Sequence, residues 1–143
     1  MMVGNAMDDM QTELETEVMK LLLQGDDPTL QVLRDQLRLA EVASREFSGV
    51  GFFTQFKFKG PVKLIPRGRA LKIGDVEAEI EGLMHGAGFL LYIENGALHM
   101  LEGYSYDEEW PLHIGNFKVS YDTGHVRDMA ALREKLHALP PVE

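Results

Sequence analysis

The sequence predicts an α+β fold: an N-terminal helical hairpin packed on a mainly antiparallel meander sheet, with a C-terminal helix. Three observations predict it. Apolar residues recur at three- and four-residue intervals early in the chain, alternate after Ser48, and return to the helical period after Asp122. Asn95-Gly96 sits between two apolar runs, a strong hairpin signal. Strands that follow one another through short turns favour antiparallel pairing, with helices gathered on one face. The 143 residues are expected to form a single domain, 1–143. Its parts are N-terminal helices over about 7–45, a sheet over about 48–121 and a C-terminal helix over about 123–139.

The first helix carries the stripe Met7, Met10, Leu14, Val18, Leu21 and Leu22. Asp8, Asp9 and Glu13 load its first turns with acid, which its dipole favours, and Gly25 stops it. The second has Asp27 as N-cap, Pro28 at its first position, and the stripe Leu30, Leu33, Leu37 and Ala40. Along Val50–Lys59, Phe52, Phe56 and Phe58 share one face, and Gln55, Lys57 and Lys59 the other. Gly60-Pro61 and Pro66-Arg67-Gly68 bracket a short run, Val62–Ile65. In Asp75–Glu81, Val76, Ala78 and Ile80 face inward, and Asp75, Glu77, Glu79 and Glu81 outward. Phe117–Tyr121 is the last strand. Asp122 or Thr123 would cap the closing helix through Val126, Met129, Leu132, Leu136 and Leu139, before Pro140-Pro141.

A two-residue loop at Asn95-Gly96 sets the hairpin register. Tyr92 would then face His99, Leu91 Met100, Leu90 Leu101, and Phe89 Glu102. The core face would hold Phe89, Leu91, Ile93, Leu98, Met100, Glu102 and Tyr104. A carboxylate there must find donors or a cation, or keep its proton. Glu102 is therefore a candidate general acid/base, with Tyr104, His85 and His99 as candidate assistants; an ordinary polar plug is the alternative. The opposite face, with Leu90, Tyr92 and Leu101, is still half apolar. The C-terminal helix or a second copy of the chain, in an isologous homodimer, is expected to cover it.

The net charge of −9 repels phosphates, which argues against nucleic acid and anionic membranes and leaves a basic protein partner open. There is no cysteine, so thiolate metal sites and a cysteine nucleophile are excluded, and a reducing, cytoplasmic setting is expected. The first residues lack the basic and apolar regions of a secretory signal, and no apolar run is long enough for a membrane span. The histidines show no metal-ligand spacing, and the carboxylate row along Asp75–Glu81 is too widely spaced for a compact cation cage. No metal or cofactor is expected. Gly82–Gly88 precedes a strand and lacks a phosphate loop's lysine and serine. Asp107, Glu108 and Trp110 form an acidic loop with the only tryptophan. Trp110 would be either a partner anchor or a plug closing the core.

The segments Ser44–Thr54, Gly74–Ile80, His85–Leu91 and Leu101–Tyr106 with Trp110-Pro111 resemble a family of small uncharacterised bacterial proteins. Its pattern is two N-terminal helices, a Gly-Phe-Phe-Thr strand and a Leu-Glu-Gly-Tyr hairpin. The resemblance spans residues 15–121. It implies a bacterial cytoplasmic origin and transfers no catalytic residue. The expectation is a non-catalytic binding or interaction module with an acidic surface. The alternative is a small enzyme built on Glu102.

Overall fold

The computed structural model describes residues 6–138, with side chains from residue 11 onward. The elements are α1 (Ala6–Leu22), α2 (Pro28–Leu37), β1 (Ala40–Phe47), β2 (Gly51–Phe58), β3 (Leu71–Ile80), β4 (Ala87–Glu94), β5 (Ala97–Ser105), β6 (Phe117–Tyr121) and α3 (Met129–His137). The strands form one antiparallel sheet in the order β1-β2-β5-β4-β3-β6. Its centre, β3-β4-β5, is a meander. The β1–β2 hairpin joins at β5, and β6 returns to the far edge beside β3. All three helices contribute to a single core on one sheet face, where Leu14, Leu22, Leu30, Leu33 and Leu136 meet Phe52, Phe89, Leu91 and Leu101. No described helix is long and apolar enough to cross a membrane.

Helix α1 buries Leu14, Val18 and Leu22 as its period requires, and Met19 and Leu23 besides. Met7, Met10, Leu139 and Pro140-Pro141 lie outside the described side chains. Gly25, at φ 141°, ends the segment. The last carbonyls of α1 are then taken by side chains from elsewhere. The Tyr121 hydroxyl donates to Leu21 O at 2.7 Å, Arg127 to Leu22 O and Gln24 O, and Arg34 to Leu23 O and Gly25 O. Two guanidinium groups at a helix C-terminus also suit its negative dipole end. Arg127 in turn forms a two-point ion pair with Asp75 at 2.7 and 2.9 Å. Asp75 therefore leaves the outward carboxylate row.

Helix α2 is capped as its sequence predicts: Asp27 accepts from Thr29 N at 2.9 Å, with Pro28 next. It stops at Leu37, and residues 40–47 are strand β1, not the tail of a helix. Glu41, Val42, Ala43 and Ser44 do not alternate, so no strand signal stands in the sequence. Pairing with β2 decides the matter, and a bulge at Val42/Ser44 breaks the period further. Val62–Ile65 is not a strand; Ile65 is buried and its N–H donates to Gly96 O at 3.0 Å. Strand β3 starts at Leu71, ahead of the expected Asp75. Helix α3 starts at Met129, because Asp128, not Asp122 or Thr123, accepts from Ala131 N as its cap. Val126 is exposed.

The β4–β5 hairpin turns at Asn95-Gly96, both at positive φ (53° and 78°), as a two-residue loop demands. Glu94 faces Ala97 and Ile93 faces Leu98 as expected. The register then slips: Tyr92 pairs with Met100, Leu91 with Leu101, Leu90 with Glu102 and Phe89 with Gly103. His99 is the extra residue of a bulge. Gln36, 1 % exposed, supplies the cause. Its Oε1 accepts the Leu98 N–H at 2.9 Å, while its Nε2 donates to Gly96 O and Lys63 O. With that N–H satisfied by a side chain, the ladder can skip a residue. Leu101 thus faces the core, and Met100, Glu102 and Tyr104 face away from it.

Candidate functional site

Among the described residues, no helix covers the second face of the sheet. The C-terminal helix lies on the core side, where Leu132 and Leu136 are buried, so it does not cover the half-apolar face. Alternation places Phe53, Gln55 and Lys57 of β2, Met100, Glu102 and Tyr104 of β5, Leu90 and Tyr92 of β4, and Glu77 and Glu79 of β3 on this bare side. Phe53, Leu90, Tyr92, Met100, Glu102 and Tyr104 are each half-buried among their neighbours on the open sheet.

Glu102 is not under Phe89, and the register slip is the reason. Its Oε1 accepts the Tyr92 hydroxyl at 2.8 Å. That bond, with partial burial, pushes the Tyr92 hydroxyl above its ordinary pKa. Lys72 Nζ lies 5.2 Å from the Tyr92 ring centroid, so cation, ring and carboxylate form a chain across three strands. Beside it, Tyr104 lies across Gly88, where a Cβ would come within 2.5 Å of its ring. Tyr106 meets Tyr104 edge to face at 5.7 Å. Burial, Tyr106, Glu102 and Glu77 together raise the Tyr104 pKa. Gly103, one residue earlier, is needed on the other side, because a side chain there would collide with the Phe52 ring.

An open cleft of about 880 Å³ continues from this face past the start of β4 at Ala87. Its walls include Glu77, Glu79 and Glu81 of the β3 run, Lys118 and Ser120 of β6, Tyr106, and the Leu83–Gly86 loop with His85. Glu81 accepts the Asn116 N–H at 3.1 Å. Glu108 accepts the N–H groups of Met84 and His85 at 2.7 and 2.9 Å, and these bonds hold its carboxyl below the ordinary range. Glu108 thus shapes the His85 loop.

The four candidates for acid/base chemistry do not converge. Glu102 and Tyr104 share the bare face, and His85 is an exposed cleft residue. His99 lies at the hairpin bulge, 3.3 Å from Glu94. Of these, His85 alone lines the cleft. Trp110 is no surface anchor. It is 5 % exposed and its ring stands edge-on to Phe52 at 5.3 Å. Asp107 is exposed, at φ 64° in the turn before it. Among the described residues, no group of three or more His, Asp or Glu side chains could hold a metal ion.

Sequence reasoning missed the buried polar roles of Gln36 and Glu15, and the histidine partner of Asp27. Glu15, 6 % exposed, accepts from Arg45 at 2.8 and 2.9 Å, from Thr54 Oγ1 at 2.8 Å and from Gln11 at 2.7 Å. Asp27, predicted as the cap, is also met by the His137 ring at 2.7 Å, a contact the sequence did not announce. Polar residues within an apolar helical stripe were the available signal. No protein-family model, curated protein or solved structure matches this chain.

Proposed function

We propose that the chain is a non-catalytic interaction module whose bare sheet face takes a basic protein partner. The observation that carries this reading is the face itself: a six-stranded sheet with the described helices all on the other side. A surface of Phe53, Leu90, Met100, Tyr92 and Tyr104, rimmed by Glu77, Glu79 and Glu102 and by Lys57, Lys72 and Lys118, has the apolar centre and aromatic content of an interface. The net charge of −9 favours a positively charged partner and speeds its approach. Absence of cysteine fits a reducing bacterial cytoplasm as the setting. The catalytic alternative draws no support from this geometry, because Glu102 already accepts a tyrosine hydroxyl and lies outside the cleft.

A photo-crosslinking amino acid at Phe53 or Leu90, introduced in the host cell, tests the reading. The expected outcome is one basic protein crosslinked from both positions and not from Gln31 on α2. Capture should disappear with Leu90→Asp. Self-crosslinks alone, with sedimentation as a dimer, would replace the basic partner by a second copy of the chain. Equal crosslinking from all positions would overturn the reading.

A further inference from the structure

The bare face holds two groups of tyrosine and glutamate, and beside one of them the chain places its own lysine. At Tyr92, the Lys72 ammonium lies over the ring and the hydroxyl is tied to Glu102. At Tyr104 and Tyr106 the rings and carboxylates are present, but among the described residues no Lys or Arg stacks over either ring. Register places them closely: Glu77 pairs with Gly88, and Gly88 with Tyr104. The missing side chain at Gly88 lets the Tyr104 ring lie over that strand toward Glu77. Tyr106 stands edge-on to it, 48 % exposed, and forms a wall of the cleft that Glu77 and Glu79 enter from β3.

We propose that this cleft binds an arginine side chain of the basic partner, its guanidinium stacked on Tyr106, which Tyr104 backs from outside the cleft, and paired with Glu77 and Glu79. The proposal rests on the reading of this face as a partner surface and assigns its anchoring point. A planar guanidinium suits the site better than an ammonium, because it stacks on rings and bonds a carboxylate at two points. Lys118 and His85 line the same cleft, but three glutamates outnumber them, and Glu81 is partly engaged by Asn116 N–H. A volume of about 880 Å³ leaves room for the arginine and its flanking backbone.

The test is a titration of the whole chain with the blocked peptide Gly-Arg-Arg-Gly, followed by NMR, with matched lysine and citrulline peptides. Saturable shifts should centre on residues 77, 79, 104 and 106. The order should be arginine tighter than lysine, with citrulline inert. Tyr106→Leu, and Glu77→Gln with Glu79→Gln, should each weaken binding about tenfold, the scale of one lost stacked or charge-assisted contact. Circular dichroism should show both variants folded. Shifts spread over α1 acids such as Glu13 and Glu17, or unchanged by Tyr106→Leu, would overturn the site. Crosslinks at Phe53 and Leu90 would then still stand, so loss of this anchor is distinguishable from loss of the partner surface.

Discussion

Gln36 uses both ends of its buried amide, holding Leu98 N–H, Gly96 O and Lys63 O. Gln36→Leu removes these bonds and takes the side-chain partner from Leu98 N–H and Lys63 O, while Gly96 O keeps the Ile65 N–H. The expected cost is about 3 kcal/mol, since each buried orphan costs about 1–3 kcal/mol and some will reach water. Urea unfolding should show this, and a loss under 0.5 kcal/mol would be far below the ~1 kcal/mol expected for even one such group. Asp27 yields a pH prediction. Burial pushes its carboxyl up, but the His137 bond and the N–H groups of Thr29 and Leu30 outweigh this and hold it below its ordinary value. A lowered folded pKa contributes stability above the unfolded value of about 3.9, and that stability is lost as pH falls through the folded value. Wild type should therefore lose more stability on acidification below about pH 4 than Asp27→Asn. Parallel curves from thermal melts would contradict it. These residues also mark where sequence reading stops. Asp27-Pro28 and Asn95-Gly96 are local signals, and both held. The bulge at His99 depends on Gln36, whose bonds to Gly96 and Leu98 span 60 and 62 positions, so no window around the hairpin could reveal that Glu102 points outward.

At the scale of elements, β1 shows why an edge strand is hard to read. Ala40–Phe47 is exposed along most of its length, so it needs no apolar alternation. Glu15 ties it and β2 to α1 through Arg45 and Thr54. Removing one partner of a buried ion pair costs about 3–5 kcal/mol, because the other charge stays desolvated. Glu15→Ala should fall near the lower end, with hydrogen exchange rising first in β1. Exchange rising evenly through the sheet would show that the link is not local to this edge. Helix α3 is held in a comparable way. Arg69 donates to the carbonyls of Leu136, Lys135 and Ala138, its C-terminal end, while His137 reaches Asp27. Arg69→Ala should loosen α3 ahead of the sheet. Protease cleavage within residues 129–137, faster than global unfolding, would show it; cleavage no faster than in wild type would contradict it.

For the whole molecule, the outcome of these local choices is a sheet with two unlike sides. The helical side was legible from periodicity alone, through Leu14, Val18, Leu30, Leu33, Val76, Ala78, Ile80, Phe89 and Leu91. The bare side was legible in part, since Leu90 and Tyr92 were placed on it by the pleat. Its full membership required the bulge, and its continuity with the cleft required β6 to return beside β3, which no local pattern announces. The absence of cysteine makes the two sides easy to separate. Single-cysteine variants at Met100, Leu101 and Glu102 should be labelled with a thiol reagent, alone and with the crosslinked partner added back. Positions 100 and 102 are predicted to react rapidly in the free protein and to be shielded by the partner, while position 101 stays protected throughout. Rapid labelling at 101 with protection at 102 would reverse the faces and contradict the account.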